Sequence, residues 1–477
     1  MHTGDMLARK ASPIAAVCCV LLWAAYCWAH RSPFAASWDE VDFVLALDRF
    51  DLLAMQPHFP GYPYFVMGAM AMRRFVGDPV RAYESLNIVL GAAAAFPIWR
   101  LSRRRLSPLW SLVVVLLVLT SPYLWLQSVR PMSEAAGIAV LWWYLWTWQR
   151  AMERRSWERM ALALFLFGLL MGVRLSFAPF GLGLLWLFGL GAADWRLARK
   201  RVWPRLALFV VLAGAFQLLW LGALVLSEGN VRGFLKLAAA FTEGHFSQWG
   251  GGVASAADDM PFAERALRFA GDNVLWTGMF ARSTALFAAA AGLLFAAVLS
   301  AGAALRSPRG SASAGSRPAA RAAAWLRRPG LPVALAALAG AYGAWALLAQ
   351  NIDKPRHITP LIGVMWLLLA LLCAAAPPAR PAAPLRRRAR RRRCCAAAPV
   401  RAGRPRRRRE PARRAHPPRA ADRMRDDRRR RDRAASRAGQ RARRAAGRRA
   451  AGGLPARGRA GRTGGGPPEQ PFRRLHL

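Results

Sequence analysis

Long apolar blocks alternate with short polar and basic ones through the first 376 residues. Read as helices, the blocks near 12–29, 86–101, 109–127, 135–149, 159–173, 177–192, 204–226, 282–304, 331–349 and 360–376 are each about long enough to cross roughly 30 Å of hydrocarbon, the shorter ones with help from their flanks. The pattern predicts an all-α, polytopic transmembrane bundle of about ten spans. The fourth block holds Leu141-Trp142-Trp143-Tyr144-Leu145-Trp146, an aromatic run suited to a membrane interface. Arg9 and Lys10 precede the first block as in a signal peptide, but its length and the many later blocks favour an uncleaved helix.

Residues 62–76 are apolar enough to pass for an eleventh span. Counting them would scatter the basic clusters over both faces. Omitting them gathers Arg9/Lys10, Arg103-Arg104-Arg105 and the clusters at 150–155, 196–201 and 306–328 on one side, which the positive-inside rule makes cytoplasmic. The segment is therefore expected to lie as a helix at the outer interface, with Arg73 and Arg74 near lipid head groups. Two large outer segments result, 30–85 and 227–281. Within the first, Phe43, Leu47, Phe50 and Ala54 share one face, which predicts an amphipathic helix over 38–54.

Candidate chemistry sits in the outer segments. Asp39, Glu40 and Asp42 fall in the first turn of that helix. They could simply complement its dipole, but carboxylates at a bilayer face carry a desolvation cost that calls for a reason. Lys354, Arg356 and His357 head the last span, where they could snorkel to head groups or hold a phosphate, Arg through its fork and Lys as a point charge. Lys354 stands out because the chain has only four lysines and otherwise uses arginine. His58 follows the acidic helix. Arg130 and Glu134 occupy the turn between spans three and four, and Arg174 interrupts an apolar stretch between spans five and six. The second outer segment offers Gly250-Gly251-Gly252, Asp258-Asp259 and Asp272-Asn273, which read as a mobile loop over a cleft or as a solvated loop with helix caps.

Composition changes the picture mainly at the C-terminus. The chain is 55% hydrophobic with 20 Trp and 23 Phe, too apolar for a soluble domain of 477 residues. Its formal charge of +45 is concentrated after Pro378, where roughly 35 arginines face about six acids. No Lys, Ile, Tyr or Asn occurs there, a pattern that suits GC-rich DNA read in a shifted frame; a disordered basic tail is the alternative. With almost no aromatics to stack on bases, this tail of 377–477 is not expected to read nucleic acid specifically. The six cysteines form no disulfide or zinc pattern.

In their order along the chain these motifs resemble the GT-C glycosyltransferases, and more narrowly the protein O-mannosyltransferase-like branch that includes the bacterial aminoarabinose transferases. The residues concerned are Trp38-Asp39-Glu40-Val41-Asp42-Phe43-Val44-Leu45-Ala46-Leu47 with Gln56-Pro57-His58-Phe59-Pro60-Gly61-Tyr62-Pro63, then Arg130-Pro131-Met132-Ser133-Glu134, then Lys354-Pro355-Arg356-His357-Ile358-Thr359-Pro360. The resemblance covers residues 1–376. It implies a polyprenyl-phosphate-linked sugar as donor and transfer to an acceptor hydroxyl, on protein, lipid or glycan, outside the cytoplasm of a bacterial plasma membrane, with the N-terminus and tail inside. It implies Asp39 as general base, with Glu40 and Asp42 beside it, and Lys354, Arg356 and His357 at the donor phosphate. Asp39, Glu40 and Asp42 could hold a divalent cation, but this branch implies no metal or other cofactor. Relatives carry further spans or a terminal domain where this chain has its tail, so an inactive chain is expected if those spans are required. His58 stands near an early lysine that some relatives have. A transporter or flippase of a lipid-linked or polar solute is the alternative reading, though its charges would be expected inside spans rather than at their outer ends.

Overall fold

The computed structural model describes residues 3–255, 260–306 and 330–374. The expected tail, Asp258-Asp259 and most of the basic segment 306–328 lie outside the described residues. The described part is helical, and its only β feature is an isolated bridge between Asp51 and Gln56. In chain order the α-helices are α1 (Thr3–Ala29), α2 (Trp38–Ala46), α3 (Pro63–Val76), α4 (Pro79–Ser102), α5 (Pro108–Leu119), α6 (Pro122–Ser128), α7 (Ser133–Glu153), α8 (Trp157–Val173), α9 (Leu182–Leu197), α10 (Val202–Ser227), α11 (Val231–Gly244), α12 (Phe262–Leu267), α13 (Thr284–Arg306), α14 (Leu331–Ala349) and α15 (Thr359–Ala374).

The all-α polytopic bundle agrees with the sequence pattern. Among the described residues five helical stretches are long and apolar enough to cross a bilayer: Pro79–Ser102, Leu175–Leu197, Val202–Ser227, Leu331–Ala349 and Pro355–Ala374. Two bent pairs raise this to seven. The block at 109–127 is one such pair. Pro122 cannot donate a helical hydrogen bond, and α5 and α6 meet there at 62°. Phe262–Met279 and the start of α13 form the other, bent by 98°. Helix α8 has only 17 residues.

Helix α7 is the centre of the bundle. It is buried nearly all round, as a helix enclosed by others must be, and it packs between α4 and α8. Its polar aromatic atoms are satisfied across helices. Tyr144 donates to the Phe180 carbonyl at 2.9 Å and Trp148 Nε1 to the Gly183 carbonyl at 2.7 Å. Gly183 permits this approach, because a Cβ there would sit 2.9 Å from the Tyr144 hydroxyl. The opposite extreme is α10, which buries only Phe209, Trp220 and Leu224 and exposes Leu208, Val210, Val211, Leu218 and Leu219. Such a contiguous apolar face is stable against lipid rather than water.

The segments 30–85 and 227–281 differ from expectation. Helix α2 stops at Ala46 instead of running to residue 54. Beyond it the Asp51 carboxylate accepts the Ala54 backbone N–H at 3.0 Å, and Asp51 and Gln56 exchange backbone bonds, which offers the chain an alternative to helix. Residues 63–76 do form a helix, too short at about 21 Å to span, but Arg73 is held by Asp48 at 2.6 Å rather than free for lipid.

Among its described residues the segment 227–281 is largely helical rather than an irregular loop. Asn273 donates to the Ile352 carbonyl at 2.5 Å, and Val253 N–H to Leu348 O at 2.9 Å. Arg265, 1% exposed, donates to the carbonyls of Leu347, Gln350 and Gly251 at 2.7, 2.6 and 2.9 Å. It satisfies acceptors left open at the C-terminal end of α14. Arg265→Met strands these carbonyls and should destabilise the protein by about 3 kcal/mol; the measurement is faster amide exchange at residues 347–353, and wild-type exchange there would contradict the staple.

Candidate active site

The N-terminal half of α2 sends its three acids to three different partners. Glu40 is fully buried. It pairs with Arg130 Nε at 2.5 Å and accepts the Ala36 N–H at 2.5 Å. Arg130 in turn is held through its carbonyl, which accepts from Asn87 at 3.0 Å. Glu40 and Arg130 therefore lock the segment before α3 to the turn before α7 and do not line the cavity described below. Asp42 faces His58, with 3.1 Å between Oδ2 and Nδ1, and His58 Nε2 lies 3.1 Å from the Tyr62 hydroxyl.

Asp39 begins a chain of alternating charge drawn from four distant parts of the sequence. Its carboxylate lies 2.5 Å from Arg356 Nη2. Arg356 Nε lies 3.6 Å from Glu134 Oε1, and the same oxygen lies 2.9 Å from Arg174 Nη2. Arg174 also donates to Ser133 at 2.7 Å. Glu134 and Arg174 are buried, whereas Asp39 is partly open. Burial alone would raise the Asp39 carboxyl, but the Arg356 guanidinium, with His58 and Lys354 beyond it, holds it below the ordinary carboxylate range.

Asp39 and the two guanidiniums of this chain face one cavity of about 380 Å³. His58, Lys354 and His357 also line it. Lys354 is exposed and has no ion-pair partner among the described residues. His357 is anchored by its carbonyl, which accepts from Tyr342 at 2.8 Å. The far wall is aromatic: Phe241 and Trp249 stack edge to face at 4.8 Å, His245 meets Trp249 at 5.2 Å, and Phe246 meets Trp345 at 6.0 Å. Tyr62 belongs to the motif Gln56-Pro57-His58-Phe59-Pro60-Gly61-Tyr62-Pro63, whereas the wall stands outside the sequence motifs. The signal was present in the aromatic-rich stretch 241–249, just ahead of the glycine triplet that drew attention instead.

A cation site was the remaining chemical option. Asp39, Asp42 and His58 can place one donor atom each within 4.8 Å of one another. The set does not fit a resident metal well. Asp39 is committed to Arg356, His58 and Asp42 satisfy each other, and Glu40 is turned away toward Arg130.

Fold and site together define a polytopic helical membrane protein whose cavity joins acids and guanidiniums from distant helices. Residues 56–221, about a third of the chain, match the family model for dolichyl-phosphate-mannose-protein mannosyltransferase, in line with the GT-C resemblance of the motifs. The match includes His58, Arg130, Glu134 and Arg174. Among solved structures the chain is similar to ArnT from Cupriavidus metallidurans bound to undecaprenyl phosphate, at 16% identity and a TM-score of 0.48, covering 75% of this chain and 59% of that one. It is also similar to the archaeal oligosaccharyltransferase AglB from Archaeoglobus fulgidus in complex with an inhibitory peptide and a dolichol-phosphate, at 13% identity and a TM-score of 0.39, covering 76% and 50%. The chain thus spans about three fifths of the length of the first and half that of the second. No curated protein matches it.

Proposed function

We propose that this protein is a membrane glycosyltransferase that moves a sugar from a polyprenyl-phosphate donor to an acceptor hydroxyl. The observation that carries the reading is Arg356, which faces the cavity while paired with Asp39 at 2.5 Å. A guanidinium and a carboxylate thereby meet where leaving group and nucleophile must meet. The donor's phosphate leaves with growing negative charge, which Arg356 by its fork and Lys354 as a point charge would stabilise. Asp39 fixes Arg356 and marks the acceptor end. The aromatic wall suits the apolar face of a sugar ring. The family match over 56–221 supports the same chemistry. A lipid-linked phosphate must be met at a bilayer face, and the basic clusters favour the extracytoplasmic face of the plasma membrane for this cavity.

The test is transfer from synthetic polyprenyl-phosphate sugars by purified protein. Wild type should turn over at least one such donor, and Asp39→Asn should lower the rate about 100-fold or more. Full activity in the mutant would remove Asp39 from the site.

A further inference from the structure

Helices α4 and α7 run from the candidate active site to a rim of arginines. Near the site Asn87 of α4 donates to the carbonyls of Arg130 and Met132 at 3.0 and 2.9 Å, and Met132 lines the cavity. Arg100 lies about 20 Å further along α4. At that end a groove of about 390 Å³ runs between α1, α4 and α5. Ala16, Ala92 and Ala95 give it room, Val17, Phe96 and Val115 supply walls, and Arg100 is the sole charged residue that lines it. Beyond its inner end the three helices close around Trp23. Trp23 Nε1 donates to the Leu119 carbonyl of α5 at 2.9 Å, and its ring lies on Gly91 of α4, where a Cβ would sit 2.7 Å away. The groove shares no residue with the active-site cavity.

The mouth of the groove is cationic and uncommitted. Arg100 packs over the Phe96 ring at 6.0 Å, Phe96 meets Trp146 of α7 edge to face at 5.3 Å, and Arg150 packs over Trp146 at 4.8 Å. These four side chains make one face with a guanidinium at either end. Arg104 pairs with Glu153, and Arg103 donates to the Leu106 carbonyl at 2.5 Å, but neither Arg100 nor Arg150 meets a carboxylate among the described residues. Arg100, Arg150 and Arg159 all stand close enough to repel Arg104. Like charges gathered beside an apolar groove leave an unbalanced positive potential at a bilayer surface.

We propose that the groove holds an acyl chain of an anionic phospholipid whose phosphate sits on Arg100 and Arg150. The proposal goes beyond glycosyl transfer and does not depend on it. Apolar walls open to the bilayer receive a chain, and a guanidinium fork suits phosphate oxygens. A zwitterionic lipid brings its own ammonium to the same cations and gains less. A second copy of the chain is a poorer occupant. A two-fold contact would bring two such cationic faces together, and Glu153 and Asp194 at this rim are already paired with Arg104 and Arg155.

The test is photo-crosslinking of the full-length protein in nanodiscs that carry a trace of phosphatidylglycerol with a diazirine in its acyl chain. Peptide mapping should place the adducts at residues 13–21 and 92–99. Mapping the adduct, rather than counting bound lipid, keeps the arginine-rich segment after Pro378 out of the readout. Arg100→Gln should lower labelling about 10-fold, and the same diazirine on phosphatidylcholine should label the wild type about 10-fold less. Ala95→Phe fills the groove and keeps every arginine, so it should lose the adduct as well; Ala16→Phe does the same from the α1 wall if thermal unfolding shows Ala95→Phe to be misfolded. Equal labelling by the two lipids, or wild-type labelling in folded Arg100→Gln, would make the groove ordinary lipid-facing surface and overturn the proposal. Displacement of the probe by a polyprenyl phosphate in preference to phosphatidylglycerol would give the groove to a polyprenyl chain instead. A dimer that Ala95→Phe separates would give it to a second copy, and either result also overturns the proposal. No transfer assay enters the test, so its failure is distinct from failure of the glycosyl-transfer reading.

Discussion

Arg356→Gln is expected to remove nearly all transfer, about 100- to 1000-fold in kcat, while the protein remains folded. The magnitude is that of deleting one group aimed at charge which develops only in the transition state. Folding should survive because Glu134 keeps Arg174 at 2.9 Å when Arg356 is gone. Arg356→Lys should recover only part of the loss. An ammonium can replace the charge but not the fork that reaches Asp39 through Nη2 and Glu134 through Nε. The donor KM should rise less than kcat falls, since Lys354 remains for ground-state binding. Equal loss in both constants, or a lysine variant as active as wild type, would mean that Arg356 merely holds the bundle together.

The same substitution has a pH signature. Asp39 is held below the ordinary carboxylate range in the folded protein, with Arg356 the principal opponent of its burial. A depressed folded value means that the pairing stabilises fully above the unfolded carboxylate's pKa of about 4 and is lost as pH falls through the lower folded value. Arg356→Gln leaves burial unopposed by its nearest cation, so Asp39 should titrate higher and this acid-side stability should shrink. Unfolding curves from pH 3 to 6 compare the two proteins.

Much of the site was legible because charge is conspicuous in apolar sequence. Arg174 breaks an apolar stretch, while Asp39, Glu134 and Arg356 sit in charged turns at the ends of apolar blocks, and each stood out for that reason. What the sequence could not convey was their division of labour. Asp39, Glu40 and Asp42 occupy adjacent turns of one helix, yet they point to Arg356, Arg130 and His58 respectively. Those partners come from elsewhere in the chain, and no local pattern encodes the pairing. The bend inside one block was hidden for a related reason. Hydropathy marked 109–127 as one block, while the bend at Pro122 lets Ser121 accept from Trp366 of α15 at 3.1 Å. The aromatic wall went unnoticed because Trp and Phe are abundant throughout the chain, so one more cluster carried no contrast.

Glu134→Gln should be the most destabilising single change at the site, by about 3–5 kcal/mol. Glu134 is fully buried, with Arg174 at 2.9 Å and Arg356 Nε at 3.6 Å on the same oxygen. The carboxylate is therefore the shared counter-ion of two guanidiniums. A neutral amide keeps the shape but leaves Arg174, 6% exposed, as a buried cation without compensation. The cost is the desolvation of a charge whose partner has gone, which exceeds the net worth of the pair itself. That asymmetry gives the decisive control. Arg174→Met on top of Glu134→Gln removes the stranded charge and fills its volume with an apolar chain, so the double variant should regain most of the lost stability. Thermal unfolding of the four proteins in one detergent measures it. Additive losses in the double variant would show that the two side chains act independently, and that the alternating chain from Asp39 to Arg174 is a matter of proximity without energetic coupling.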